Sequence, residues 1–279
     1  MARVAYNNAD YPLRVMAHEY FDLDQEQTDL TKSQLARFHA WHRSDELPLY
    51  ANIFESGAER VARGLTRDDV TWAMGAIRER YLVFVTQGAE EGAPVVAMFK
   101  PENVVALERK FDELNTKYAK EFLSGGESKR ERARAKALEE RFEAFMGDLT
   151  DAQRDLILRF VQAQPDINQA RYDDRKRRQQ ELLDLLAQYR ASPQLAERLR
   201  DYFVSWERNR SPGHTQLARE WEERLVTLVV DIDATMTPEQ RARTVRKLES
   251  YAEDCRVLAQ QGRSNQEIRA DVAPDSVLR

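Results

Sequence analysis

Val104-Val-Ala-Leu-Glu-Arg-Lys-Phe-Asp-Glu-Leu-Asn-Thr-Lys-Tyr118 decides the fold class of this 279-residue chain. Its large apolar side chains Leu107, Phe111, Leu114 and Tyr118 recur at intervals of four, three and four residues. With 3.6 residues per turn, that spacing lays one stripe along a helix, as a helix packed lengthwise on a neighbour requires. Pro101, just upstream, stands where a first helical turn tolerates a residue without an N–H.

The same period extends in both directions. Val70, Ala73, Met74, Ile77, Tyr81, Phe84 and Val85 predict a helix closed by a loop at Gly88-Ala-Glu-Glu-Gly92. Leu138, Phe142, Phe145 and Met146 mark another, followed by Leu156, Phe160 and Val161, then Leu182, Leu183, Leu186 and Tyr189. Ser192-Pro193 opens a helix carrying Leu195, Leu199, Tyr202, Phe203 and Trp206, and Ser211-Pro-Gly213 breaks the chain before Leu225, Leu228, Val229 and Ile232. A last helix is predicted from Thr237-Pro238 toward Gly262. Val95-Val-Ala-Met-Phe99 is the one candidate strand and reads equally as a helical turn. The expectation is an all-α, elongated bundle of amphipathic helices without significant β-sheet, forming a single domain over 1–279. The joint Leu123-Ser-Gly-Gly-Glu127 leaves two lobes open, 1–123 and 127–262, with a loose tail over 263–279.

Composition narrows the function. Forty-three basic against 48 acidic residues give a net charge of −5, contrary to the basic face that phosphate neutralisation demands, so no nucleic-acid partner is expected. No run approaches the roughly 20 apolar residues of a membrane-spanning helix. The single cysteine, Cys255, cannot form an intramolecular disulfide.

A short pattern recurs four times: Leu23-Asp-Gln-Glu-Gln27, Leu65-Thr-Arg-Asp-Asp69, Leu149-Thr-Asp-Ala-Gln153 and Met236-Thr-Pro-Glu-Gln240. Each sets a capping oxygen (Asp24, Thr66, Thr150, Thr237) three residues before an amide or carboxylate (Gln27, Asp69, Gln153, Gln240), with an acid in the first turn. That arrangement is a capping box: the cap side chain accepts from the N3 amide, the N3 side chain accepts from the cap amide, and the acid complements the positive helix end. A hydrophobic staple is met by Leu65 with Val70, whereas Leu149 and Met236 face Arg154 and Arg241. The unequal spacing of the four sites argues against a regular solenoid.

Leu149-Thr-Asp-Ala-Gln153 and Met236-Thr-Pro-Glu-Gln240 resemble the paired LTxxQ signatures of the Spy and CpxP group of periplasmic proteins, the second departing by Met for Leu. That resemblance implies a helical cradle that shields unfolded clients on an apolar surface rimmed by charge. A second resemblance spans more of the chain. Tyr6-Asn7-Asn8-Ala9-Asp10, Tyr20-Phe-Asp-Leu23, Ala40-Trp41-His42-Arg43 and Glu46-Leu-Pro48 are similar to an uncharacterised family of Gram-negative lipoproteins. Its members carry a signal peptide and a lipid-modified cysteine shortly before the Tyr-Asn-Asn segment. The resemblance implies a periplasmic body held at the outer membrane by an N-terminal lipid upstream of Met1-Ala-Arg3.

Catalytic constellations are sparse. His39 and His42 lie one turn apart with Asp45 and Glu46 following, a spacing that could hold a metal, yet without a second cluster the ligand set is short. His18-Glu19 lacks the second histidine of a zinc-protease helix. Acid pairs such as Asp68-Asp69 and Asp173-Asp174 fit solvated helical faces. Phosphate loops and nucleophile elbows are missing, so neither an enzyme nor a cofactor is expected. Two basic runs, Lys129 to Lys136 and Arg171 to Arg178, are interleaved with Glu131, Asp173 and Asp174 and read as salt-bridged outer faces that an anionic membrane would also attract. Trp41, Trp72, Trp206 and Trp221 fit apolar faces. The reading is a non-enzymatic envelope protein that binds a protein partner or an unfolded client. The alternatives are a scaffolding lipoprotein and a metal-binding protein built on His39 and His42.

Overall fold

The computed structural model describes residues 2–164, 167–205, 210 and 212–272, and among these the chain is helical throughout, with no strand. In order the helices are α1 (Ala2–Asn7), α2 (Asp10–Phe21), α3 (Gln25–Trp41), α4 (Leu47–Arg63), α5 (Arg67–Ala97), α6 (Pro101–Tyr118), α7 (Glu127–Met146), α8 (Asp151–Gln162), α9 (Asn168–Tyr189), α10 (Leu195–Val204), α11 (Pro212–Ala234) and α12 (Pro238–Val272). Two π-helical turns, His42–Glu46 and Ala119–Leu123, join α3 to α4 and extend α6. No helix among the described residues is long and apolar enough to cross a membrane.

Among the described residues the predicted stripes pack against one another in four clusters, apart from positions such as Ile77 and Phe84 of α5, which stay exposed. Ala135 and Met146 of α7, Ile157 and Val161 of α8, and Leu228 and Ile232 of α11 make one apolar cluster, with Leu149 from the turn before α8. Leu47 of α4 meets Leu258 and Ala259 of α12, so elements from both sides of the Leu123–Glu127 joint pack together. Across the same joint, α5 packs on α10 through Ala89 and Ala93 against Leu195 and Leu199. Leu23, Val95 and Phe99 close a fourth cluster with Phe21.

Three boundaries differ from the sequence expectation. The loop expected at Gly88–Gly92 does not form: α5 runs unbroken for 31 residues and carries Pro94 in its interior. Glycine costs a helix about 1 kcal/mol relative to alanine, a penalty outweighed here by packing. Ala89 and Ala93 are buried under α10, and a Cβ at Gly88 would stand 3.9 Å from the Phe38 ring of α3. Val95–Ala97, offered as a strand or a turn, is the last turn of α5. The final helix runs ten residues beyond Gly262, to Val272, so residues 263–272 of the expected loose tail are helical and only 273–279 lie outside the described residues.

Candidate functional site

The recurring pattern builds paired helix starts. Thr150 and Thr237 cap α8 and α12, and the N–H groups of Gln153 and Gln240 donate to their hydroxyls at 3.3 and 3.2 Å. The side chain of Gln153 is fully buried, and its Oε1 accepts from the Thr150 amide at 2.9 Å, as Gln240 Oε1 does from Thr237 at 3.0 Å. The two amides then face each other: Gln153 Nε2 donates to Gln240 Oε1 at 2.9 Å and Gln240 Nε2 to Gln153 Oε1 at 3.0 Å. The remaining protons go to main-chain carbonyls, from Gln153 to Thr235 at 3.1 Å and from Gln240 to Asp148 at 2.8 Å. Every hydrogen-bonding site of the pair is filled, which a buried amide needs. At the staple positions, Arg154 pairs with Glu139 and Glu143, and Arg241 with Asp233.

The same lock occurs a second time with a partner that the sequence reading passed over. Gln27, held by the Asp24 capping box of α3, exchanges hydrogen bonds with Asn103 of α6 at 2.9 and 3.2 Å. Asn103 Oδ1 accepts from the Lys100 amide, and its Nδ2 donates to the carbonyls of Phe21 and Asp22. Lys100 closes the rim with an ion pair of 2.8 Å to Asp24, whose pKa is lowered first by the Gln27 amide and then by Lys100. Lys100-Pro-Glu-Asn103 repeats the Pro-Glu-amide lettering of Thr237-Pro-Glu-Gln240, a signal that could have revealed it.

The fourth site is ionic. Asp69 accepts from the Thr66 amide and hydroxyl, and from Arg60 at 2.9 Å and Arg63 at 2.6 Å. Asp233 of α11 receives the Leu65 amide at 2.9 Å and Arg241. This helix start is therefore fastened by arginines where the other three use amides.

The N-terminal segment docks on the α3–α4 junction. Tyr6 donates to or accepts from His42 Nδ1 at 2.9 Å and packs at a tilt against His39 with ring centroids 4.5 Å apart. Arg43 reaches Asn7 at 2.6 Å and lies over the Tyr6 ring, while Asn8 bonds back to the Val4 carbonyl and Asp10 pairs with Arg14. Trp41 stacks on Phe38. His39 and His42 thus meet aromatic rings; among the described residues no three His, Cys, Asp or Glu side chains gather as a metal site would. Burial foremost pushes the His42 pKa down to about 4.

Two apolar hollows open along α5. One of about 600 Å³ lies between α4 and α5, with Phe54, Trp72, Ile77 and Tyr81 in its walls, and Arg60 stacked 4.1 Å from the Trp72 ring. The other, about 460 Å³, lies among α2, α3, α5 and α10 and is walled by Met16, Phe38, Val96 and Phe203. Phe84 belongs to both. Ile77 and Phe84 remain 66% and 40% exposed, large apolar groups presented to solvent on a helix roughly 46 Å long at 1.5 Å per residue. Arg37 paired with Glu91 stands at the edge of the second hollow, whereas Arg80 of the first reaches inward to the buried Glu46.

The model of DUF6279, a family of unknown function, matches residues 19–214, more than half of the sequence, and the chain belongs to that family. No curated protein and no solved structure matches it.

Proposed function

We propose that this family member is a helical envelope protein, tethered to the outer membrane by a lipid upstream of the residues described, that holds a protein partner or an unfolded client against the apolar channel of α5. The observation that carries the reading is the pair of hollows sharing Phe84, since concave apolar surface with a charged border is what weak, sequence-tolerant binding of exposed hydrophobic segments uses. The LTxxQ-like letters at Leu149 and Met236 support it as a resemblance to the Spy and CpxP group. Their amides are consumed in fastening α8 to α12, so the client surface belongs to α5 and its neighbours.

The test is suppression of aggregation of a chemically denatured model client. Excess protein lowers light scattering, and Ile77→Asp with Phe84→Asp, at exposed positions, abolishes that effect while the far-ultraviolet circular dichroism is retained. No suppression at high molar ratio counts against client holding and favours the scaffolding reading, in which helices serve as a spacer in a fixed complex. The metal-binding alternative draws no support from His39 and His42, whose surroundings are aromatic. The anchoring reading expects the gene upstream of Arg3 to encode a leader and a lipid-accepting cysteine.

A further inference from the structure

The two basic runs of the sequence meet across one hollow. Arg130, Arg134 and Arg141 of α7 and Arg171 of α9 line a partly open hollow of about 160 Å³, with Gln164 and the Trp221 ring beside them. Glu121 is the only carboxylate among its described lining residues. Arg171 lies 5.5 Å from the Trp221 ring, and among the described residues neither Arg171 nor Arg141, both exposed, has an ion-pair partner. Arg171 is exposed, as the outer-face reading expects, and stands on the wall of the hollow; Arg177 further along α9 pairs with Asp174 and Glu181. Partial desolvation is the first cause that holds the Arg171 guanidinium below the usual arginine range; Tyr118 opposes it, and the like charges of Arg210 and Arg141 add to it. Both the oxygen and the nitrogen of the Gln164 amide are buried without a hydrogen-bond partner.

Buried polar groups of native proteins are almost always satisfied. The hollow brings together an unused buried amide, the Arg141 and Arg171 guanidinium groups free to take an anion, and an indole face.

We propose that this hollow binds a small organic oxyanion, a carboxylate or phosphate monoester carried on one flat apolar ring. Arg171 and Arg141 take the anionic oxygens, since guanidinium presents planar donors matched to carboxylate and phosphate. Gln164 supplies one further donor and one acceptor, and Trp221 covers the ring. The volume fits, because an apolar cavity of about 150 Å³ accommodates benzene. This site lies apart from the α5 channel and does not depend on client binding.

Isothermal titration calorimetry of the whole chain with phenyl phosphate, benzoate and inorganic phosphate tests the proposal. The expected result is one equivalent of phenyl phosphate or benzoate bound with Kd below about 1 mM, and inorganic phosphate bound more weakly. Arg141→Gln, at an exposed position that folding tolerates, weakens binding at least tenfold, as does Arg171→Met. Gln164→Leu weakens it without lowering Tm, because the amide it removes had no partner to lose. Retention on phosphatidylglycerol vesicles, competed away by phenyl phosphate, supports the site with a lipid headgroup as the source; phenyl phosphate binding without vesicle retention supports it with a soluble source. Absence of binding by all three probes overturns the proposal, as does binding that Arg141→Gln and Arg171→Met leave unchanged.

Discussion

Replacing Gln153 by leucine isolates the contribution of the buried amide pair. The substitution preserves most of the volume and removes four hydrogen bonds: two accepted by Oε1, from Thr150 and Gln240, and two donated by Nε2, to Thr235 and Gln240. Thr150 is exposed and recovers a water partner. Thr235 is exposed too and its carbonyl likewise recovers water, so the loss falls on both ends of the buried Gln240 amide, which keep Thr237 and Asp148. At about 1–3 kcal/mol per buried polar group left short, less the gain from burying leucine, Gln153→Leu costs about 2–4 kcal/mol. Gln240→Leu costs a similar amount by symmetry. The double variant removes facing groups together, so it costs less than the sum of the singles by about 1–3 kcal/mol, the coupling typical of contacting residues. Thr150→Ala and Thr237→Ala, which remove only cap acceptors, cost about 1 kcal/mol each. Urea denaturation followed at 222 nm measures all five. A Gln153→Leu cost under about 1 kcal/mol, or strictly additive singles, refutes the reasoning.

Three further outcomes follow from the same structure. Because His42 is held near 4 by burial, and next by the like charge of His39, the unfolded chain binds the proton more readily. Stability is therefore full above about pH 6.5 and declines as pH falls toward 4; His42→Phe flattens that slope, and an imidazole pKa at or above 6.5 by NMR titration would contradict it. The Asp69 carboxyl is held well below the usual range, first by Thr66 and then by Arg63 and Arg60, so its contribution is present above about pH 4 and lost as pH falls through the depressed folded value. Asp69→Asn is accordingly less stable at neutral pH and less acid-sensitive in urea melts between pH 2 and 5. Gly147 ends α7 at φ +82° with the Arg243 side chain 3.2 Å from where a Cβ would stand, so Gly147→Ala loses about 1–3 kcal/mol, read as a lowered urea midpoint.

Helix identity was legible in the sequence because burial follows the 3.6-residue period wherever both faces are chemically distinct. The Thr-x-x-Gln letters were legible as helix starts for a related reason: a cap is a local device, closed within four residues. Which starts face each other was not, since that depends on contacts 76 and 87 residues apart in sequence. Asn103 escaped because Lys100 offers no conventional cap side chain, and only the parallel with Thr237-Pro-Glu-Gln240 marked it. The glycines at 88 and 92 misled because propensity is a local cost, whereas Ala89 and Ala93 are buried by a helix a hundred residues away. The α5 channel had no signature of its own: Phe84 looked like one more core position, and its place between two hollows is set by α2, α3 and α4 together.

The intervals spanned by the two amide locks, 27–103 and 153–240, neither overlap nor nest along the chain. The polypeptide is fastened as two consecutive closed circuits, and the Ser124-Gly125-Gly126 stretch between them belongs to neither. A protease that cuts there severs the backbone while opening no circuit, and the halves stay clasped where α4 meets α12 and α5 meets α10.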